Sequence, residues 1–134
     1  MSKSNENNPH TMVLDVGDVT AGAAQTVTHM QPAKKYIVTK VKMMNNAAIA
    51  GHGTNHATVI LKKKGGATLA TWTSNSGDAT NFQALVQAEY KNMVLGAASA
   101  LEVAATDNLQ VDVAHGGSGQ ALTGAKVELV GYYA

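Results

Sequence analysis

The sequence predicts an all-β protein, an antiparallel sandwich of about eight strands with jelly-roll-like connections. Three observations carry that reading. Short runs alternate apolar and polar residues with a period of two, as in Leu109, Val111 and Val113 around Gln110 and Asp112, which puts one set on each face of a strand. Clusters of Gly, Asn, Asp and Ser separate these runs at short intervals, with no helical stretches alternating between them. The hydrophobic content of 45% is mostly alanine and valine, and aromatics reach only 4%. Small side chains suit closely spaced sheets better than a helical bundle.

In chain order, residues 1–10 are polar, with Asn5, Asn7 and Asn8 around Glu6 and Pro9 closing the segment. They read as a flexible arm, disordered alone or ordered on a neighbouring subunit. Residues 11–134 then form one sandwich domain, a length that buries roughly two-thirds of its unfolded surface. Met12, Leu14 and Val16 mark a first strand ending at Gly17-Asp18, and Thr26 to Met30 a second, ended by Pro32. From Tyr36 to Met44, Ile37, Val41 and Met43 are expected on one face and Lys40 and Lys42 on a wet one. After an Ala/Gly loop, Val59 and Leu61 carry the core face of a strand that ends in Lys62-Lys63-Lys64. Gly65-Gly66 turns it back into Ala67 to Thr73, with Leu69 and the single tryptophan, Trp72.

Residues 82–95 fit two short strands around a tight bend, with a short helix as the alternative. The closing stretch, Leu101 to Tyr133, reads as a three-strand antiparallel unit with one dry face, its turns at Asp107-Asn108 and Gly116 to Gly119. Residues Met12 to Trp72 would supply the covering sheet.

Composition excludes several function classes. All ten cationic residues are lysines and the net charge is +1, so the forked guanidinium that reads bases and phosphates is missing and no nucleic-acid partner is expected. Without cysteine, thiolate nucleophiles and Cys-ligated zinc are ruled out. No secretory signal is expected, since the polar N-terminus has no apolar core, and no membrane partner, since no apolar run approaches the ~20 residues of a spanning helix. Charged residues make up only 14%, against a usual ~25%. Such a surface suits a protein packed against copies of itself or a larger body, or simply a neutral soluble one.

Candidate chemistry is sparse. His52 and His56 have the spacing of helical zinc ligands, but Gly51 and Gly53 argue against a helix and no third ligand stands nearby. A triad drawn from Ser118, His115 and Asp112 fails because Asp112 and His115 point to opposite faces of a regular strand. No catalytic, cofactor or metal residues are therefore expected. Lys62, Lys63 and Lys64 concentrate charge at a hairpin tip, either for an acidic partner or as protection against edge pairing. Trp72 and the four tyrosines could build a sugar-stacking platform if Trp72 were exposed beside Tyr132 or Tyr133; a buried Trp72 would be a core anchor.

Residues 101–133 carry a resemblance: a strand entering Thr106-Asp107-Asn108, a second leaving as Leu109 to Val113, then Gly116-Gly117-Ser118-Gly119 and a last strand ending Gly131-Tyr132-Tyr133. This outline resembles the closing half of small β-sandwich structural proteins of tailed bacteriophages, both head decoration (cement) proteins and head-fibre or tail-tip domains. Thr106-Asp107-Asn108 stands where a glycine-aspartate turn is more usual. The resemblance implies a homotrimer on the capsid surface of a virion, made in the host cytoplasm, that bridges neighbouring copies of the major capsid protein and reinforces them. Asn5, Asn7, Asn8, Pro9 and Lys62 to Lys64 are the candidate partner contacts. The alternative is a receptor- or carbohydrate-binding domain of a fibre or tail tip.

Overall fold

A computed structural model describes residues 10–29 and 31–134. The expectations placed on Asn5, Asn7, Asn8 and Pro9 lie outside the described residues. The described residues form ten strands: β1 (His10–Val19), β2 (Gln25–Thr28), β3 (Tyr36–Met44), β4 (His56–Lys63), β5 (Thr68–Thr73), β6 (Lys91–Asn92), β7 (Val94–Leu95), β8 (Glu102–Val103), β9 (Leu109–Gly116) and β10 (Leu122–Tyr133). They build two antiparallel sheets. One has the order β1-β10-β3-β6, with β8 also on β3; the other is β2-β9-β4-β5-β7. Taking β6 and β8 as two pieces of one strand position, this is the strand order of a jelly roll.

The core lies between the sheets. Leu14, Val16, Val41, Met43, Val127 and Leu129 face Val59, Leu61, Trp72, Leu109, Val111 and Val113, all buried. Period-two alternation explains each set. The β4–β5 hairpin turns at Gly65, whose φ of +71° is a conformation glycine adopts without a Cβ penalty.

Several expectations are corrected. The closing stretch is no contiguous three-strand unit: β8 and β10 lie in the first sheet and β9 in the second. The Asp107 turn and the glycine loop carry the chain across the sandwich, so the apolar faces meet from opposite sides. The first sheet also takes β1 and β3, which were expected to cover it. β1 does not stop at Gly17 but bulges there, with Gly17 at φ +76°, and runs on to Val19. Its start at His10 also places that residue in the sheet, not the arm.

In β3 the register on β10 shifts between Val38 and Lys40. The extra residue, Thr39, inverts the alternation, so Tyr36 and Val38 are buried while Ile37 turns outward beside Tyr132. Finally, residues 82–95 form neither a helix nor two regular strands. Phe82 and Leu85 make isolated bridges to Thr73 and Ile49 before the short strands β6 and β7.

At the β3 bulge, the backbone of β3 lies so close to Gly131 that a Cβ there would run into the Ile37 carbonyl oxygen. Gly131→Ala is expected to cost about 1–3 kcal/mol through overpacking, read as a lower urea midpoint. Gly53→Ala, which meets only Ser76 at 3.8 Å, should leave the midpoint within experimental error.

Candidate functional site

The charged end of the sandwich is built where β4 ends and the β8–β9 turn passes. Lys63 donates from Nζ to the Glu102 carbonyl at 2.6 Å and lies 3.6 Å from Asp107 Oδ2. Asp107 in turn accepts the Ala104 N–H at 2.9 Å, closing its own turn. Lys35 pairs with Glu102 at 3.0 Å, both well exposed, a contact worth little in water. The three clustered lysines are thus unequal. Lys63 is half-buried and spent on internal structure. Lys62 lies across from Gln110 and is half-buried, and Lys64 stands exposed at the tip. Lys64 is the member whose charge is most open to a partner.

At the opposite end, polar side chains tie the loops to one another. Asn55 Oδ1 accepts the Ser118 N–H at 3.0 Å, and Gln120 Nε2 donates to the Ala48 carbonyl at 2.8 Å. Asn45 is fully buried, accepting from Thr123 N–H at 2.6 Å and donating to Ala47 O at 2.9 Å. Asp78 accepts the N–H groups of Thr80 and Asn81 and the Asn81 side chain, and these bonds hold its carboxyl below the ordinary carboxylate value.

The histidines have structural tasks here. His52 Nδ1 accepts the N–H of Thr54 at 3.0 Å and of Asn55 at 2.8 Å, folding the loop onto its own ring. His115 spans two loops, with Nδ1 2.6 Å from the Ala23 carbonyl and Nε2 2.8 Å from that of Gln120. Both its nitrogens are engaged away from Ser118 and Asp112, while Asp112 accepts from Thr26 and Gln110. The triad drawn from sequence is not assembled. Among the described residues no three His, Cys, Asp or Glu side chains come together as a metal-binding group.

Trp72 is fully buried, and its Nε1–H donates to the Gln83 carbonyl at 2.7 Å. Tyr133 instead packs edge-on against His10 and Tyr36, with centroids 5.1 and 5.2 Å apart. The tryptophan is a core anchor and offers no face to a sugar.

One feature escaped the sequence reading. A pocket of about 160 Å³ opens on the flank beside β3, lined by Lys40, Val41, Asn92, Met93 and Leu95. Leu95 and Val94 are among the few large hydrophobic side chains left exposed, with Phe82, Val86 and Val13. The irregular apolar pattern of residues 82–95 was the available signal, but the pocket depends on which sheet each fragment joins.

His29 supplies a pH test. Among the described residues its Nε2 is buried without a partner, and desolvation lowers its pKa from 6.5 against an opposing pull from Asp15. The fold therefore favours the neutral ring, while the unfolded chain protonates more readily. The resulting stability is present above the ordinary histidine value and is lost as pH falls through and below it. Melting temperature should drop between pH 7 and 5, and His29→Gln should flatten that slope.

No family model matches the chain, and no curated protein aligns with it at a meaningful level.

Proposed function

We infer that this chain is a non-enzymatic structural subunit that decorates a phage capsid, bridging and reinforcing neighbouring copies of the major capsid protein as an oligomer. The resemblance of residues 101–133 introduces the reading. The observation that carries it furthest is where this molecule spends its polar and aromatic groups. Trp72 faces the core, and His52 and His115 hold loops together. Meanwhile apolar side chains stay exposed at Val13, Phe82, Val86, Val94 and Leu95. A chain that satisfies its polar groups internally and leaves apolar side chains open is suited to being packed against.

Decoration of this kind draws its strength from number. Each copy contributes a modest contact, and several copies joined together raise the effective concentration of every further contact. Lys64 offers one electrostatic contact to an acidic shell, and the N-terminal segment containing Asn5, Asn7, Asn8 and Pro9 offers another attachment. The burial of Trp72 removes the aromatic platform that a carbohydrate-binding reading would use.

The test is co-sedimentation of the purified protein with empty, expanded phage heads. Saturable binding at a fixed ratio to the capsid subunit is expected, and absence of binding to any such shell would sink the proposal. Lys64→Glu should weaken binding roughly tenfold at low salt and less at high salt, whereas Lys63→Glu should lower thermal stability as well. Removing residues 1–9 leaves β1 complete from His10 onward, so melting should be unchanged while shell affinity falls.

A further inference from the structure

Two histidines at the loop end of the sandwich make hydrogen bonds that need opposite protonation states. His52 lies between β3 and β4, and its Nδ1 accepts the backbone N–H of Thr54 at 3.0 Å and of Asn55 at 2.8 Å. A ring nitrogen accepts only through a free lone pair, so these bonds require Nδ1 without a proton and the hydrogen on Nε2. His115, near the end of β9, presents the converse. Its Nδ1 lies 2.6 Å from the Ala23 carbonyl oxygen and its Nε2 2.8 Å from that of Gln120. Carbonyl oxygens only accept, and a neutral imidazole has one N–H. Both contacts are hydrogen bonds only in the imidazolium. In the neutral ring one lone pair is set against a carbonyl oxygen, and that contact opens.

The two rings act on one loop. Residues 117–121 join β9 to β10 and are held from two sides. On one side Asn55, whose N–H is fixed by His52, accepts the Ser118 N–H through Oδ1 at 3.0 Å. A Cβ at Gly117 would run into this same Oδ1, so the loop has no slack there. On the other side stands the turn between β1 and β2. It is joined to the loop by His115, through Ala23 and Gln120, and by Gly22 N–H to the Gly119 carbonyl at 3.1 Å.

Among the described residues, the titratable groups on the surrounding elements are few. Residues 20–24 and 117–121 contain none. β4 contributes His56, whose ring packs against Gly116. β1 ends with Asp18, whose carboxylate accepts the Gly124 N–H at 2.7 Å. The segment after β5 accepts the His52 N–H at the Ser74 carbonyl and carries Asp78, whose carboxylate is occupied by Thr80 and Asn81.

We propose that His52 and His115 form a proton-operated latch that passes the 117–121 loop from one neighbour to the other. At mildly alkaline pH both rings are neutral. His52 then holds Asn55 in place for Ser118, while His115 has released one of its two carbonyls and no longer bridges turn and loop. On acidification each ring takes one proton from solvent. At His52 it lands on Nδ1 and displaces the Thr54 and Asn55 N–H groups, which loosens the Asn55–Ser118 bond. At His115 it supplies the second N–H and restores the bridge with charge-assisted bonds. Histidine makes this change between about pH 5 and 8. The latch needs no capsid contact, so it stands or falls separately from shell binding.

Site-resolved amide exchange by NMR on the full chain, at about pH 5 and about pH 8 and corrected for the intrinsic pH dependence of exchange, tests it. Thr54, Asn55 and Ser118 are expected to lose protection on acidification and Gly22 to gain it, each by about fivefold, the weight of one hydrogen bond. Ring nitrogen shifts should show His52 Nδ1 unprotonated at the higher pH and both His115 nitrogens protonated at the lower. His52→Asn supplies an acceptor that does not titrate, and should keep Thr54, Asn55 and Ser118 protected at both. His115→Gln should remove the change at Gly22 and leave that at Thr54 intact. Protection of all four amides that ignores pH, a proton on His52 Nδ1 at the higher pH, or a response that survives both substitutions would overturn the latch. Melting also follows His29, bonded to Leu109 at the other end of β9, so the readout is kept to these amides and rings.

Discussion

Closure of two one-sided sheets over a core made mostly of valine, leucine and alanine is the constraint on which the rest of this molecule depends. Facing sheets stand ~10 Å apart, and small side chains fill most of that space. Two large ones complete it, Trp72 and Tyr36, both without exposure. Each brings a polar atom into the interior, where an unmade hydrogen bond is costly. Trp72 meets that need with the Gln83 carbonyl and Tyr36 with that of His10. Burial together with the neighbouring Tyr133 pushes the Tyr36 hydroxyl up to about 12, so it remains a donor at any ordinary pH. Core packing therefore also fixes two segments outside the main sheets' centre, the irregular stretch after β5 and the entry into β1.

Much of this was legible in the residues. Alternation identified the buried faces of β4, β9 and β10, and Gly65-Gly66 marked the one tight hairpin. What alternation cannot report is the sheet a strand joins, since a dry face looks the same from either side of a sandwich. That is why the closing stretch read as one unit although Leu109 to Val113 and Val127 to Leu129 oppose each other across the core. A bulge is equally silent: Thr39 carries no special signature, yet it reverses the faces of Ile37 and Val38. Lys63 looked like its neighbours until Glu102 and Asp107, some forty residues on, were brought to it. The pocket beside β3 was invisible for the same reason, because β6 and β7 on either side of Met93 join different sheets.

The ends and flanks of the sandwich are differently finished. Loops at the His115 end bond to one another, and Lys63 and Asp107 knit the other end. Among the described residues, β1 has a strand neighbour on one side only, and Val13, Val94 and Leu95 stay exposed on the flanks. Polar groups satisfied internally have little to gain from a partner, whereas open backbone and exposed valine and leucine do. The division of the surface follows from the connections, which run over the ends and leave the edges of both sheets facing outward.

Those same connections shape how the chain reaches its fold. Among the described residues, β4 to β5 is the only step between consecutive strands that stays within one sheet; every other step crosses the sandwich. Local contacts can form that hairpin early, but the remaining pairings join distant segments such as β1 with β10. Closing such loops before their contacts reward it slows folding by orders of magnitude relative to helical proteins of similar size. Interactions made late on the folding path mainly retard unfolding. The long-range ladder of β1 on β10 thus acts as a kinetic lock, holding the assembled fold by the slowness of its escape as much as by its equilibrium stability.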